Sequence, residues 1–362
     1  MATHPHRAKL SGGPLNTLAQ TGTTKGPLRV HKAVKVVEGN GTDVSNTEAL
    51  KNRAKRKMIS QKLVLALIDV ATKKGEPERA QAYWNTYFCQ YQITKTDTRI
   101  YGKYCKNRFC TLCSANRKAT LINQYFAVVK KWSAPYFVTL TAKSVPAKSL
   151  KKRIADMNRG LRIIIERYKK RDQRGAGKKL MGIKALECNF NPVKRTYNPH
   201  IHLLVPDKET AEIIRNEWLK LCTKNFSERY LKLASPRAQK IRAVKDTERD
   251  LIEIVKYATK VFTDPVMKKK SGLTPFVYAS ALDNIICAMK GHRIFDRFGF
   301  NLNEAKQLKV SKRTTLEQYR ELIFDPKLCD WVDPETEELL TNYQPPPALM
   351  AILESNIDTS LQ

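Results

Sequence analysis

Between residues 131 and 264 the spacing of apolar positions switches repeatedly between two and 3.6 residues, the periods of a half-buried strand and an amphipathic helix. Pro135–Thr141 is β-branched and aromatic and predicts a strand, while Ser149–Lys170 carries Ile154, Met157, Leu161, Ile164 and Ile165 at helical spacing. Two further strands, Gly182–Phe190 and Pro199–Val205, flank a polar turn at Asn191–Lys194. A helix over Glu209–Cys222, a short strand at Lys240–Val244 and a helix over Thr247–Phe262 complete the series. The order β-α-β-β-α-β-α predicts an α+β fold of the split β-α-β kind, its antiparallel sheet covered on one face by the two crossover helices and open on the other.

Helical spacing at Thr47–Thr72 and Glu76–Tyr87, a cysteine-rich turn and a helix from about Ala115 make residues 47–130 a small helical region. Residues 1–46 are rich in Gly, Thr, Pro, Asn and Lys without apolar periodicity and read as a basic arm with no assigned fold. After Asp264–Pro265 come the basic run Met267–Lys270 and a helix at Ala279–Lys290, so residues 265–320 read as a basic helical extension and residues 321–362 as an acidic tail.

Charge changes the picture more than composition. The chain has 66 Lys and Arg against 34 Asp and Glu, a net +32. Nine acidic residues and one basic residue fall in 321–362, so the first 320 residues carry a surplus of 40 positive charges. A surplus of that size favours a polyanion, because each phosphate neutralised releases counterions, and nucleic acid leads the candidates. The acidic end reads as a solvated segment or a mimic of a DNA strand. No run reaches the roughly 18–20 apolar residues that span a bilayer, and no signal-peptide core opens the chain, so a cytoplasmic protein without a membrane partner is expected.

Candidate chemistry lies in three places. In Pro199–Val205 the two histidines alternate with apolar residues, so His200 and His202 emerge on one sheet face about 7 Å apart along the strand. A lone histidine there would be a core residue; two of only six histidines at i, i+2 point to an ion between them. If the flanking strands pair around the turn, Glu187 faces the histidines as third ligand. Nitrogen with carboxylate, beside a basic surface, suits Mg²⁺ or Mn²⁺ acting on phosphate, although non-haem iron uses the same set.

On the helix that follows, Leu251, Ile254, Val255, Ala258, Val261 and Phe262 form the apolar stripe, and Glu253, Tyr257 and Lys260 share the far side within roughly 60°. Such a trio is ordinarily a solvated helix face. Beside a metal it has another use: a phenol of pKa about 10 needs a neighbouring cation or a metal-activated phosphate to act as nucleophile. Lys260 can lower the Tyr257 pKa, Glu253 can direct water or accept a proton, and Lys256 is a candidate DNA contact.

Cys105, Cys110 and Cys113, with Cys89 upstream, can form a structural Zn²⁺ site, the alternative being four buried thiols. The basic aromatic run Tyr101–Arg108 makes Lys103, Lys106 and Arg108 candidate contacts to DNA, although such runs are usually just solvated.

These residues resemble the rolling-circle replication initiators of small bacterial plasmids, within the HUH endonuclease superfamily. Phe137–Thr141 is similar to the first motif, His200-Ile-His202 to the metal-binding second and Glu253–Lys260 to the third. Cys105-x4-Cys110-x2-Cys113 followed by Arg117-Lys118 is similar to an upstream cysteine segment of one branch. The resemblance spans about residues 85–300. It implies an HUH-type sheet of ferredoxin or RRM kind in residues 131–264 and a bacterial cytoplasmic setting. It also implies an enzyme that nicks the double-strand origin, with Tyr257 keeping the 5′-phosphate and a 3′-hydroxyl left as primer. Partners implied are plasmid origin DNA, as a single-stranded or extruded hairpin nick site with adjacent duplex, and the host helicase and polymerase. Glu253 takes the position of a terminating carboxylate in single-tyrosine members, and with one tyrosine per site a homodimer that divides the work is compatible. Two other readings remain, a transposase or relaxase of the same superfamily and a non-catalytic zinc-containing replication regulator.

Overall fold

Asn46 starts the long first helix: its side-chain oxygen accepts the Ala49 amide at 3.0 Å, closing one of the donors a helix N-terminus leaves open. The computed structural model describes residues 34–39, 41–224, 233–259, 276–302 and 313–361; for 223–224 and 256–259 it describes the backbone path alone. In chain order the elements are β1 (Lys35–Glu38), β2 (Thr42–Asp43), α1 (Thr47–Lys73), α2 (Pro77–Tyr87), β3 (Gln92–Lys95), β4 (Arg99–Gly102), α3 (Thr111–Val129), β5 (Tyr136–Thr141), α4 (Ala147–Gln173), β6 (Gly182–Asn191) and β7 (Thr196–Val205). They continue with α5 (Lys208–Lys224), β8 (Lys240–Ala243), α6 (Thr247–Thr259), β9 (Val277–Tyr278), α7 (Ala279–Met289), β10 (Phe295–Phe298), β11 (Arg313–Leu316), β12 (Arg320–Asp325), β13 (Asp330–Val332), α8 (Pro347–Ser355) and β14 (Ile357–Asp358).

The expected β-α-β-β-α-β-α series is β5-α4-β6-β7-α5-β8-α6. Its four strands, with β10 added beside β6, form a five-stranded antiparallel sheet in the order β10-β6-β7-β5-β8. Alternation along each strand divides the two faces. Val138, Leu140, Leu186, Ile201, Leu203 and Val205 pack with the apolar sides of α4, α5 and α7. Phe137, Ile183, Ala185 and Leu204 point the other way, into a second cluster with Tyr125 and Val129 of α3 and Leu251, Ile254 and Val255 of α6. The crossover helices share one face as expected; the opposite face, expected to be open, is partly roofed by α3 and α6.

Three segment boundaries differ from the sequence reading. The basic arm ends earlier than residue 46, since Lys35–Glu38 pairs with β11 and Thr42–Asp43 with β4. The extension after residue 265 contributes more than a helix: β10 pairs with β6 at the edge of the central sheet. The acidic segment is packed instead of solvated. β12 pairs with β3 and β13 with β12, giving a second sheet in the order β13-β12-β3-β4-β2 that lies under α1 and α2. Leu322, Phe324 and Trp331 are buried there, and about 25 cal/mol per Å² of apolar surface favours that docking over a solvated end.

Candidate active site

The β6–β7 register sets Glu187 directly opposite His200, with Ala185 opposite His202. All three polar side chains stand on the face roofed by α6 and are buried. Glu187 Oε2 lies 3.0 Å from His200 Nε2 and 3.2 Å from His202 Nε2. The rings cross nearly at right angles with centroids 4.7 Å apart, closer than the backbone spacing along the strand because both tilt toward the carboxylate.

The far nitrogens are also engaged. His200 Nδ1 sits 3.0 Å from the Asn198 carbonyl, which only accepts, so Nδ1 carries the proton and donates it. Nε2 of His200 is thereby turned to the Glu187 carboxylate, and with that ring neutral the two facing acceptors would be satisfied by a cation held between them. Thr139 Oγ1 holds His202 Nδ1 at 3.2 Å. Burial pushes the His202 pKa below the usual histidine value against the opposing pull of Glu187, so its ring is neutral at neutral pH, the form that ligates a metal. The donor set therefore fits a divalent ion bound by Glu187, His200 and His202.

Helix α6 lies across β6 and β7. Asp246 caps it, accepting the Arg249 amide at 3.0 Å. Arg242 on the edge strand β8 then fixes its orientation. One guanidinium nitrogen donates to Asp250 Oδ2 at 3.0 Å, the other to Asp250 Oδ1 and, at 3.2 Å, to Glu253 Oε2. The guanidinium also lies over the Phe137 ring, 4.5 Å from its centroid, and that ring contacts His202 at 5.6 Å. Glu253 is close enough to His202 for its charge to raise the ring's pKa. Tyr257 follows one turn later on the α6 backbone; its side chain and that of Lys256 lie outside the described residues, as does all of Lys260.

The four cysteines form a second cluster. Their sulphurs lie within 4.8 Å of one another, Cys89 to Cys113 at 3.8 Å and Cys105 to Cys113 at 3.6 Å. A tetrahedral ion with sulphur at about 2.3 Å requires sulphurs about 3.8 Å apart, whereas a disulfide requires about 2.05 Å, so the arrangement fits a zinc-type ion and no cross-link. Cys105 and Cys113 amides donate to Cys89 and Cys110 sulphurs at 3.4 and 3.5 Å, as expected around thiolates. Lys103, Lys106 and Arg108 are exposed on the turn beside this cluster, Arg108 donating to the His292 carbonyl at 2.7 Å. The other four cysteines are free thiols, with Cys222 and Cys329 buried.

The geometry thus brings Glu187, His200 and His202 together with Glu253 near them, and gathers the four cysteines elsewhere. Sequence reasoning missed Arg242, Asp250 and Thr139. The one available signal for Arg242 was its place in a short β-branched run just before a helix opening with acidic residues.

The family model described as "Replication protein" matches residues 98–323, a span that takes in both the Glu187, His200 and His202 group and helix α6. The chain belongs to that family, that of plasmid replication initiators. A Staphylococcus aureus "Protein rep" is 31% identical over 183 residues, covering 46% of this chain and 74% of the relative. A Bacillus sp "Protein rep" is 29% identical over 155 residues, 40% of this chain and 48% of the relative, so the chain spans about half of that protein. A Streptococcus pneumoniae serotype 2 (strain D39 / NCTC 7466) "Protein rep" is 26% identical over 226 residues, 57% of this chain and 66% of the relative. No solved structure matches.

Proposed function

We propose that this chain initiates rolling-circle replication by cutting one strand of plasmid origin DNA and later rejoining it. The observation that carries the reading is the convergence of Glu187, His200 and His202 on the sheet face that α6 roofs. Glu187, His200 and His202 would hold Mg²⁺ or Mn²⁺, which would polarise the scissile phosphate. Tyr257 Oη attacks phosphorus, the bond to the 3′-oxygen breaks, and the chain keeps the 5′-phosphate as a tyrosine ester while a 3′-hydroxyl is released as primer. The phenolic proton is lost in the attack, assisted by Lys260, and the leaving 3′-oxygen takes up a proton. Zn²⁺ at Cys89, Cys105, Cys110 and Cys113 is structural, and Lys256, Lys103, Lys106 and Arg108 contribute phosphate contacts to single-stranded or hairpin nick-site DNA and its adjacent duplex. Host helicase and polymerase take over the exposed primer in the bacterial cytoplasm, and a homodimer supplies a second tyrosine. No helix among the described residues is long and apolar enough to cross a membrane.

Glu253 is the terminating carboxylate in this reading, directing water at the tyrosine ester or accepting the proton of an incoming hydroxyl. Glu253→Ala is expected to nick supercoiled origin plasmid normally while release of unit-length circles falls by at least about tenfold. Circle release at the normal rate would remove Glu253 from the reaction.

Arg242 acts through the residues it holds. Arg242→Ala leaves the buried Asp250 carboxylate without its two guanidinium donors and removes one partner of Glu253, and a stability loss of about 1–2 kcal/mol is expected from that broken pairing. Nicking by Arg242→Ala should slow about tenfold in kcat with little change in the Mn²⁺ concentration required. Thermal unfolding and nicking rates against Mn²⁺ check this. A shift confined to the metal requirement would place Arg242 with the ligands instead of the helix.

A further inference from the structure

Two cations are buried beside the cysteine cluster. Lys57, on α1, is fully buried, and its ammonium donates to the Tyr87 and Cys89 carbonyls at 2.7 and 2.8 Å. One turn earlier Arg53 is also buried, donating to Gln90 Oε1 at 2.8 Å and Thr42 Oγ1 at 3.0 Å. Both partners sets are neutral. Among the described residues no carboxylate pairs with either cation. Burying charge without a counter-charge costs several kcal/mol per ion, so two such cations in one place require an anion nearby.

Arg53 bonds the Gln90 side chain and Lys57 the carbonyl of the preceding residue, Cys89, whose sulphur belongs to the four-cysteine cluster. Four thiolates around a divalent ion carry a net charge of minus two, equal and opposite to Lys57 plus Arg53. The cations also contact the C-terminal segment: Lys57 lies over the Phe324 ring at 5.4 Å and Arg53 over Trp331 at 5.9 Å, while the Trp331 indole donates to the Gln90 carbonyl at 2.8 Å. Those aromatic faces add cation–π attraction and close off solvent, but they bring no negative charge.

We infer that Lys57 and Arg53 are the built-in counter-charge of a metal-bound tetrathiolate at Cys89, Cys105, Cys110 and Cys113, so that ion binding there and the docking of strands β12 and β13 on α1 support each other. The inference goes beyond the DNA-cutting reading and does not depend on it.

The test uses the full chain and zinc as probe. Competition against a chromophoric chelator should show Lys57→Met binding zinc about ten- to a hundredfold more weakly than wild type, the range expected when a partner outside the ligand set is removed. In thermal unfolding the substitution should lower the midpoint of the zinc-loaded protein much more than that of the chelated protein. Lys57→Gln keeps a donor for the two carbonyls without the charge and should lose affinity as Lys57→Met does; Arg53→Met should shift affinity in the same direction. Equal midpoint losses with and without zinc, wild-type affinity in Lys57→Met, recovery of affinity in Lys57→Gln, or no zinc uptake by wild type would each overturn the inference.

Discussion

Tyr257→Phe is expected to lower nicking of supercoiled origin plasmid by at least about 10⁴-fold, because in the proposed reaction it deletes the one atom that forms the covalent bond. The ring is retained, so packing on α6 and binding to origin DNA should be unchanged within about twofold, and the protein-linked 5′ end should vanish together with the relaxed circles. Origin nicking at wild-type rate by Tyr257→Phe would mean another nucleophile. Lost binding together with lost nicking would mean that the tyrosine is structural.

The second large effect is expected at the candidate metal-binding group Glu187, His200 and His202. His202→Ala removes one of two nitrogens from a three-residue donor set and leaves Glu187 and His200 facing each other in a buried site. Cleavage at fixed Mn²⁺ should fall at least about 100-fold, and added Mn²⁺ should restore part of it, since a weakened site can still be filled by mass action. Origin binding, assigned in the proposed function to basic residues elsewhere, should persist with the salt dependence of phosphate contacts. Pre-incubating wild type with a chelator should mimic the variant. A variant that stops binding DNA but nicks single-stranded substrate normally would assign His202 to the fold instead of the chemistry.

Much of the central sheet was legible because its signals are local. Alternation in Gly182–Phe190 and Pro199–Val205, joined by a turn-forming Asn191-Pro192, fixes the hairpin register, and register alone delivers Glu187 to His200. Helix α6 was legible from its apolar stripe, three members of which, Leu251, Ile254 and Val255, are buried on the sheet. What stayed hidden depends on partners distant in sequence. In the segment from residue 321 the net charge masks Leu322 and Phe324, which alternate inward along β12; nothing near them announces that β3, more than 200 residues earlier, is the partner strand. Arg242 acquires meaning only once α6 is docked beside β8, and Lys57 only once the cysteines are gathered next to α1. Lys57 left one trace, an i, i+4 spacing with Arg53 and Gln61 that makes a polar row on an otherwise buried side of the helix. The roofing by α3 of the sheet face that carries His200 and His202 is not legible locally, because the helix belongs to the preceding region and its packing on α6 is tertiary.

The bond proposed between the Tyr257 oxygen and a DNA phosphorus can be read directly by mass spectrometry. Wild-type protein incubated with Mn²⁺ and origin DNA, then digested with protease and nuclease, should yield the α6 peptide carrying a 5′-nucleotide on Tyr257. The same adduct on any other residue, or complete nicking with no protein-linked nucleotide, would contradict the account.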